Sequence, residues 1–589
     1  MTATTPQLSP RSLVIVILYA GLLLLTALGG RVRVLTQHEV FAAQPAREML
    51  SGGHWVIPHF AGVPRLVKPP AAGWLIAGSM KLFGTEAEWA VRLPAGLAGV
   101  ATAALVAVLA GRWLGDAGGL VAGLMQASFF YVLMQARLAE ADMPMCAAVA
   151  LAMLAFARGA VDRPPEARGL GPVRWAVLFH LGLALSFLFK GVGGGFVLAG
   201  CMTWTLVTGR WRAAVGLLVH PAGLAVLLPL AGAWPALALR EQPGLLRIWY
   251  REVFARYKGD AFDPSDPWHV YFWVVPLLLL PWLPFAVRGL VEKVKLLRGG
   301  GTSAAGALRS LRSHRRATFL LCWFAAGMTI LTFSAARHKH YAIPMLPPLT
   351  LLAAAGFLGW VRESRADADR GRRTGAIVAV AVLAVGLPGA AVAGLRLAKA
   401  PAGTAAAIVA VAVGVAAVAW LHGSGRRRGA AVACFATALV GMLMAQWLVL
   451  PAYDDFRASA DLARRANAAV PARQTIYLVG LGEAQPAFYL DHPLARADRV
   501  KPRPATAQAP AAPSDVERLA ATHPATDLYV LCPASTLPDI SRWGKVTELD
   551  RVDHRRRTEP DAVVLVKLTT PAADGRGPAT RTAAAVVAP

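Results

Sequence analysis

Arg92–Gly111 reads RLPAGLAGVATAALVAVLAG, one arginine at its head and no other charge along its length. A helix of about 20 such residues, rising about 1.5 Å per residue, reaches across the hydrocarbon of a bilayer. Working outward, twelve further runs meet the same test: 12–30, 117–134, 142–158, 174–189, 191–207, 213–236, 268–287, 317–335, 341–361, 375–395, 402–421 and 429–450. The 589-residue chain is 56% hydrophobic and 16% charged, with a mean hydropathy of +0.48. Those values exclude a large soluble core and predict a polytopic α-helical membrane protein of about 13 spans. The first run follows Arg11 and meets no small-residue cleavage site, so it reads as an anchor.

The net charge of +26 invites a nucleic-acid reading, but its distribution argues against one. Arg288, Lys293, Lys295, Arg298, Arg309, Arg312, Arg315 and Arg316 share one loop with a single acid, Glu292. Arg-rich loops at Arg158–Arg174, Gly209–Arg212, Arg362–Arg373 and Gly423–Arg428 fall on the same side. This alternation sets a cytoplasmic N-terminus, outer loops at 31–91 and 237–267, and an outer C-terminal region. The basic loops are topology signals and contacts for anionic membrane lipids. Cys146, Cys201, Cys322 and Cys434 lie in spans and Cys532 in the outer region, so no disulfide framework is expected.

Three blocks follow. Residues 1–360 carry ten spans and both outer loops, a catalytic core if the chain is an enzyme. Residues 361–450 carry three Ala/Val-rich structural spans. Residues 451–589 form a small α/β domain with linker and tail segments, its strands expected at Thr475–Val479, Asp527–Leu531 and Ala562–Val566 and a helix at Ser514–Ala521. In the first outer loop, Ala42–Ser51 and Ala71–Phe83 pattern as interfacial helices.

Ionisable groups at membrane depth or at span ends are costly, about 2.5–3.5 kcal/mol on insertion scales, and are therefore functional candidates. They are Arg137, Glu140 and Asp142 before the fourth span and Lys190 between the fifth and sixth. Arg251, Glu252, Arg256 and Lys258 lie in the second outer loop, and Arg337, His338, Lys339, His340 and Tyr341 before the tenth span. The long outer loop adds His38, Glu39 and Lys68. Cations gathered with carboxylates at an outer interface suit a lipid-phosphate sugar: Arg and Lys neutralise the phosphate as a leaving group, and a carboxylate steadies an oxocarbenium-like centre or takes a proton. Bland roles compete, above all a salt bridge for Glu39, an N-cap for Asp142 and membrane anchoring for Arg337–His340. His54, His59 and His269 have no metal-ligand spacing.

The ordered series His38-Glu39, Arg47-Glu48-Met49-Leu50, Gly52-Gly53-His54-Trp55, Pro58-His59-Phe60, Lys68-Pro69-Pro70 and Arg92-Leu93-Pro94 resembles the first half of the bacterial lipid A aminoarabinose transferases. These are relatives of the protein O-mannosyltransferases within the C-type glycosyltransferases. Arg137, Ala141-Asp142-Met143-Pro144, Lys190-Gly191, Glu252 with Arg256-Tyr257, Pro267-Trp268 and Arg337-His338-Lys339-His340-Tyr341 continue the series. The resemblance implies an inner-membrane enzyme with a periplasmic active site and C-terminal domain. It would move a sugar from a polyprenyl phosphate to lipid A or another envelope acceptor. Glu39, Asp142 and His38 would be catalytic, and Lys68, Arg137, Lys190, Arg256, Arg337, Lys339, His340 and Tyr341 would bind substrate. No cofactor is demanded, though the pattern leaves room for a divalent metal. Three positions depart: His38 stands for an Asp, Val67 for a carboxylate and Val253 for a His, which removes potential metal ligands. A protein O-glycosyltransferase of the same fold, a lipid-linked sugar transporter and a non-catalytic glycan-binding protein are the alternatives.

If His38 serves as base, its neutral form is required, and activity rises between about pH 5.5 and 7.5 around the ordinary imidazole pKa of roughly 6.5. His38→Asp flattens that rise; a pH–rate profile identical in the two proteins removes His38 from the chemistry.

Overall fold

The computed structural model describes residues 7–164, 166, 169–258, 266–298, 303–362, 401–502, 512–553 and 562–572. The run expected to span at 375–395 lies outside them. Among the described residues, eight helices are long and apolar enough to cross a membrane: Glu88–Leu114, Asp142–Val161, Val173–Lys190, Pro221–Glu241, Arg315–Phe333, Lys339–Arg362, Ala402–Gly423 and Arg427–Tyr453. A ninth is a pair bent by 108°, Val270–Leu278 and Leu283–Arg298. Three expected spans come out shorter or broken. The first helix runs only Pro10–Leu24, the sixth is Gly193–Thr208, and 117–134 divides into Asp116–Ala127 and Phe130–Gln135. Hydropathy registers the apolar run and not the break inside it, which is a matter of backbone angle at Ser128 and Phe129.

The chain forms two compact units that do not follow chain order. One gathers residues 1–32, 67–75 and 89–453; the other gathers 33–66, 76–88 and 454–589.

In the first unit, helices approach closely where glycine permits it, as membrane helices do in the absence of a hydrophobic drive between them. A methyl at Gly182 would stand 2.7 Å from the Ala148 carbonyl oxygen, so Val173–Lys190 lies directly on Asp142–Phe156. Gly289 and Gly356 face each other's helices in the same way: an added Cβ would strike Leu352 O in one case and Phe285 O in the other. Beside this crossing Phe285, Phe357, Trp360, Trp282 and Phe435 pack edge to face or tilted, with Phe285 and Phe357 centroids 4.8 Å apart.

In the second unit, a five-stranded sheet has the order β4-β3-β5-β7-β6. Its strands are β3 Ile476–Val479, β4 Leu494–Ala497, β5 Asp527–Pro533, β6 Lys545–Val552 and β7 Val563–Thr569. β3 pairs parallel with β4 and β5, and β7 pairs antiparallel with β5 and β6. Alternating Val479, Val530, Cys532, Val564, Val566 and Leu568 make its core. The Ser514 hydroxyl accepts from Glu517 N and closes a capping box, which starts the helix Asp515–Thr522 where the sequence placed it.

The outer-loop segments belong to this unit. The helix Gln37–Gly52 opens on a Thr36–Glu39 capping box and ends at Gly53 in the left-handed region (φ 74). Glu48 accepts from the backbone N–H groups of Ala61 (2.7 Å) and Gly62 (3.2 Å), which fixes the tight hairpin His59–Phe60 and Val63–Pro64. Arg47 pairs with Glu86 at 2.7 Å, donates to the Leu490 carbonyl at 3.1 Å and lies over the Phe488 ring. Arg65 meets Glu483 at 2.9 Å.

Gly289→Ala and Gly356→Ala each overpack the crossing, at a cost of about 1–3 kcal/mol. Thermal unfolding in detergent, followed by tryptophan fluorescence, shows a lower midpoint for both. Gly232→Ala, with nothing within 4 Å of its added methyl, serves as the control; equal midpoints for all three refute the close-approach account.

Candidate functional site

Asp142 occupies the first turn of the helix Asp142–Phe156, yet it does not cap it. Ala141 holds the cap position and no side chain there bonds the helix N–H groups. The carboxylate turns instead to Lys190, the last residue of Val173–Lys190, with Nζ 2.6 Å from Oδ1. Asp142 and Lys190 keep only 8% and 13% of their side-chain surface exposed. Placement explains why both charges persist there. A carboxylate at a helix N-terminus and an ammonium at a helix C-terminus each complement the local dipole, and pairing offsets much of the cost of removing them from water.

Around this pair stands the segment 337–345. The short helix Lys339–Met345 brings His340 Nε2 to 4.0 Å from Asp142 Oδ1 and sets the Tyr341 ring under Lys190, Nζ lying 4.3 Å from its centroid. The rings of His338 and His340 stack at 5.8 Å, and Tyr341 meets both edge to face. Tyr271 Oη donates to the His338 carbonyl at 3.2 Å, and Lys339 sits over the Trp273 ring at 5.2 Å. Lys68, from the segment 67–75 of the same unit, is close enough for its charge to act on the Asp142 carboxylate. Four of the sequence-derived residues, Asp142, Lys190, His340 and Tyr341, are thus in direct contact, with Lys68 beside them.

The remaining candidates are placed differently. Arg137 is buried; its guanidinium donates to Gln446 Oε1 at 2.9 Å, to Thr26 O at 2.5 Å and to Ala27 O. Ala27 has φ 55, a conformation costly for a residue with a Cβ, so Arg137 ties down a strained turn just after the first helix. Arg337 donates to Asp266 O (2.9 Å) and to Ser334 O, which anchors the start of the histidine segment. Arg256 lies in the one-turn helix Arg256–Lys258. Glu39 and His38 belong to the second unit. Glu39 is fully buried and accepts from Thr36 N at 2.8 Å, while His38 packs edge-on against Phe41.

Two contributors escaped the sequence reading. Tyr131 feels the charges of Glu140, Asp142 and Asp266, which places a hydroxyl in the same cluster. Gln446 both accepts from Arg137 and donates to Leu23 O at 3.0 Å. A lone amide in an Ala/Val-rich span was the available signal for Gln446. Tyr131 offered none, since an aromatic within an apolar run is ordinary. Among the described residues no group of three His, Cys, Asp or Glu side chains gathers as a metal site.

Comparison with known proteins bears on the family and the fold. Residues 67–237 match the family model for dolichyl-phosphate-mannose-protein mannosyltransferase. The chain is 30% identical over 363 residues to the undecaprenyl phosphate-alpha-4-amino-4-deoxy-L-arabinose arabinosyl transferase of Pseudomonas savastanoi pv. phaseolicola, a match covering 59% of this chain and 60% of that protein. It is 30% identical over 336 residues to the enzyme of that name from Pseudomonas aeruginosa, covering 56% of each. The chain therefore spans well under two thirds of the length of the curated relatives it matches. A crystal structure of ArnT from Cupriavidus metallidurans bound to undecaprenyl phosphate superposes with a TM-score of 0.72 at 20% identity, covering 94% of this chain and 97% of that one. The chain shares the fold of that structure.

Arg137→Leu removes the guanidinium donor from the Thr26 and Ala27 carbonyls and leaves Gln446 Oε1 only the long contact from the Thr26 hydroxyl, each unsatisfied group costing about 1–3 kcal/mol. The variant unfolds at lower temperature in detergent and binds polyprenyl phosphate like the parent. A loss of affinity with an unchanged melting midpoint makes Arg137 a phosphate ligand instead of a clamp.

Proposed function

We propose that this chain is an inner-membrane glycosyltransferase that moves a sugar from a polyprenyl-phosphate donor to an envelope acceptor such as lipid A. The observation that carries the reading is the buried Asp142–Lys190 pair ringed by His340, Tyr341 and the charge of Lys68. In such a site Lys68, Lys190 and Lys339 hold the donor phosphate. Tyr341 offers a hydroxyl and a ring face. The bond from the sugar's anomeric carbon to the phosphate oxygen then breaks toward a stabilised leaving group. Asp142 steadies positive charge developing at the anomeric carbon. Glu39 and His38 take the roles the motif series assigns them, a catalytic carboxylate and a base that accepts the acceptor's proton.

The proposed topology has 13 spans. The eight long helices and the bent pair are joined by Pro10–Leu24, the broken Asp116–Gln135, Gly193–Thr208 and the run at 375–395. The active site, Arg256 in the second outer loop and the C-terminal α/β domain then face the periplasm, as the basic loops dictate. The core is 1–360, the structural spans 361–450 and the outer domain 451–589. Val67 in place of a carboxylate supports a donor sugar other than aminoarabinose, because a neutral side chain offers an ammonium no partner.

Purified protein in nanodiscs, given labelled polyprenyl-phosphate sugar and envelope lipid, tests this. Glu39→Gln lowers transfer about 100-fold or more with donor binding intact, and Asp142→Asn, which also leaves Lys190 without its carboxylate, lowers transfer and donor binding together. Lys68→Ala and Lys339→Ala weaken donor binding roughly 10- to 150-fold, the loss of one charge-assisted hydrogen bond. Transport of the donor without product supports a transporter, and near-normal turnover in Glu39→Gln confines Glu39 to helix capping.

A further inference from the structure

A second cluster of charge lies at the other end of the same two helices. Asp142–Val161 starts at the site described above and ends beside Asp162; Val173–Lys190 ends at that site and starts beside Arg174. Twenty helical residues put the two regions about 30 Å apart along the helix, the thickness of a bilayer's apolar layer. Glu88–Leu114 and Arg315–Phe333 bring their ends to the same place.

At its centre is one carboxylate. Asp162, its side chain 6% exposed, meets Arg316 Nε at 2.9 Å, Arg158 Nη1 at 3.1 Å and Arg112 Nε at 3.6 Å, and accepts from the Trp113 indole at 3.0 Å. Three positive charges therefore share one negative charge. Close by, Arg210 Nη2 and Arg315 Nη1 both donate to the Arg163 carbonyl oxygen, at 2.7 and 3.1 Å, and Arg210 Nη2 reaches the Pro164 carbonyl as well at 3.1 Å, so both guanidiniums rest on neutral acceptors. Among the described residues neither Arg210 nor Arg315 has a carboxylate partner, and the acid whose charge reaches Arg210 is the exposed Glu166. Burial, and then the neighbouring Arg315 guanidinium, hold Arg210 below the usual arginine range. Like charges crowded on one carbonyl are unfavourable unless an anion joins them.

We infer that this arginine cluster binds the phosphate of an anionic phospholipid in the leaflet opposite the Asp142–Lys190 site. Guanidinium forks match a phosphate's oxygens pairwise. The position supplies the lipid: the cluster sits where four apolar helices end, and Arg158 and Arg174 lie over the ring of Trp175, a residue type at home in the headgroup layer. Five guanidiniums against the one buried carboxylate leave four excess positive charges, which draw anionic lipid from a leaflet that already concentrates it. The headgroup would lock Arg210 and Arg315 together and secure the inner ends of the helices whose outer ends carry the candidate site.

Native mass spectrometry of the full chain, delipidated and then offered cardiolipin, phosphatidylglycerol or phosphatidylcholine, tests the inference. The parent retains the two anionic lipids, and Arg210→Gln/Arg315→Gln retains them at least about tenfold less, as loss of charge-assisted hydrogen bonds requires. Both proteins hold phosphatidylcholine equally. Arg210→Lys/Arg315→Lys, which keeps the charge, recovers most of the retention. Should the glutamine pair fail to fold, Arg316→Gln carries the test, since its guanidinium is half exposed; it lowers retention several-fold. Unchanged retention in the glutamine variants overturns the inference. So does displacement of the bound lipid by millimolar inorganic phosphate, which marks a site for a soluble anion.

Discussion

The ion pair between Asp142 and Lys190 ties together the ends of two helices of the first unit, Asp142–Phe156 and Val173–Lys190. Each charge stands at a helix end where the backbone dipole favours it, and each would be intolerable at that depth alone. Removing one partner from a buried pair costs about 3–5 kcal/mol, so the pair sets the register of the helices Asp142–Phe156 and Val173–Lys190. Gly182 then allows those helices to close upon each other. The same lysine draws the Tyr341 ring beneath it, and with that ring comes the whole segment from Arg337 to Met345. Structure and candidate chemistry share the same atoms here.

Polar contacts organise the second unit as well. Glu48 clamps the hairpin, Arg47 and Arg65 reach acids and carbonyls far along the chain, and Glu39 holds its own helix start. Segments that leave the chain between two apolar runs are thereby folded with strands more than 400 residues later. A carboxylate fixed in a capping box has little freedom to reorient. Rigidity of that kind serves a catalytic group and a merely structural one equally, which is why only turnover in Glu39→Gln separates them.

Much of this was legible in one dimension. The apolar runs marked nearly every long helix, because a stretch that must satisfy its backbone in lipid has few other forms. β3, β5 and β7 were visible as continuous Ile, Val and Leu runs, the mark of strands buried on both faces. β4, only four residues long (LARA), and β6 (KVTELDRV), mostly polar, escaped because they form the edges and lack a long apolar run. The site was legible as a list: Asp142, Lys190, His340, Tyr341 and Lys68 stood out as charges or polar groups where lipid makes them expensive. Arg137 stood out for the same reason, and its burial against Gln446 shows that expense alone does not separate a ligand from a clamp.

Sequence by itself determined the membrane class, the place of the long apolar helices among the described residues, the α/β character of the region beyond Tyr453 and the roster of costly ions. Each of these follows from local composition and period, which residues carry wherever the chain goes. Only the tertiary structure decided which ions meet. It joined Asp142 to Lys190 and left Asp142 out of helix capping. It assigned Arg137 to a strained turn and gathered the arginines of three separate segments around Asp162. Pairings of this kind depend on distances between segments remote in sequence, set by helix crossings at glycines and by the requirement that a buried charge find its opposite, and neither is written at any single position.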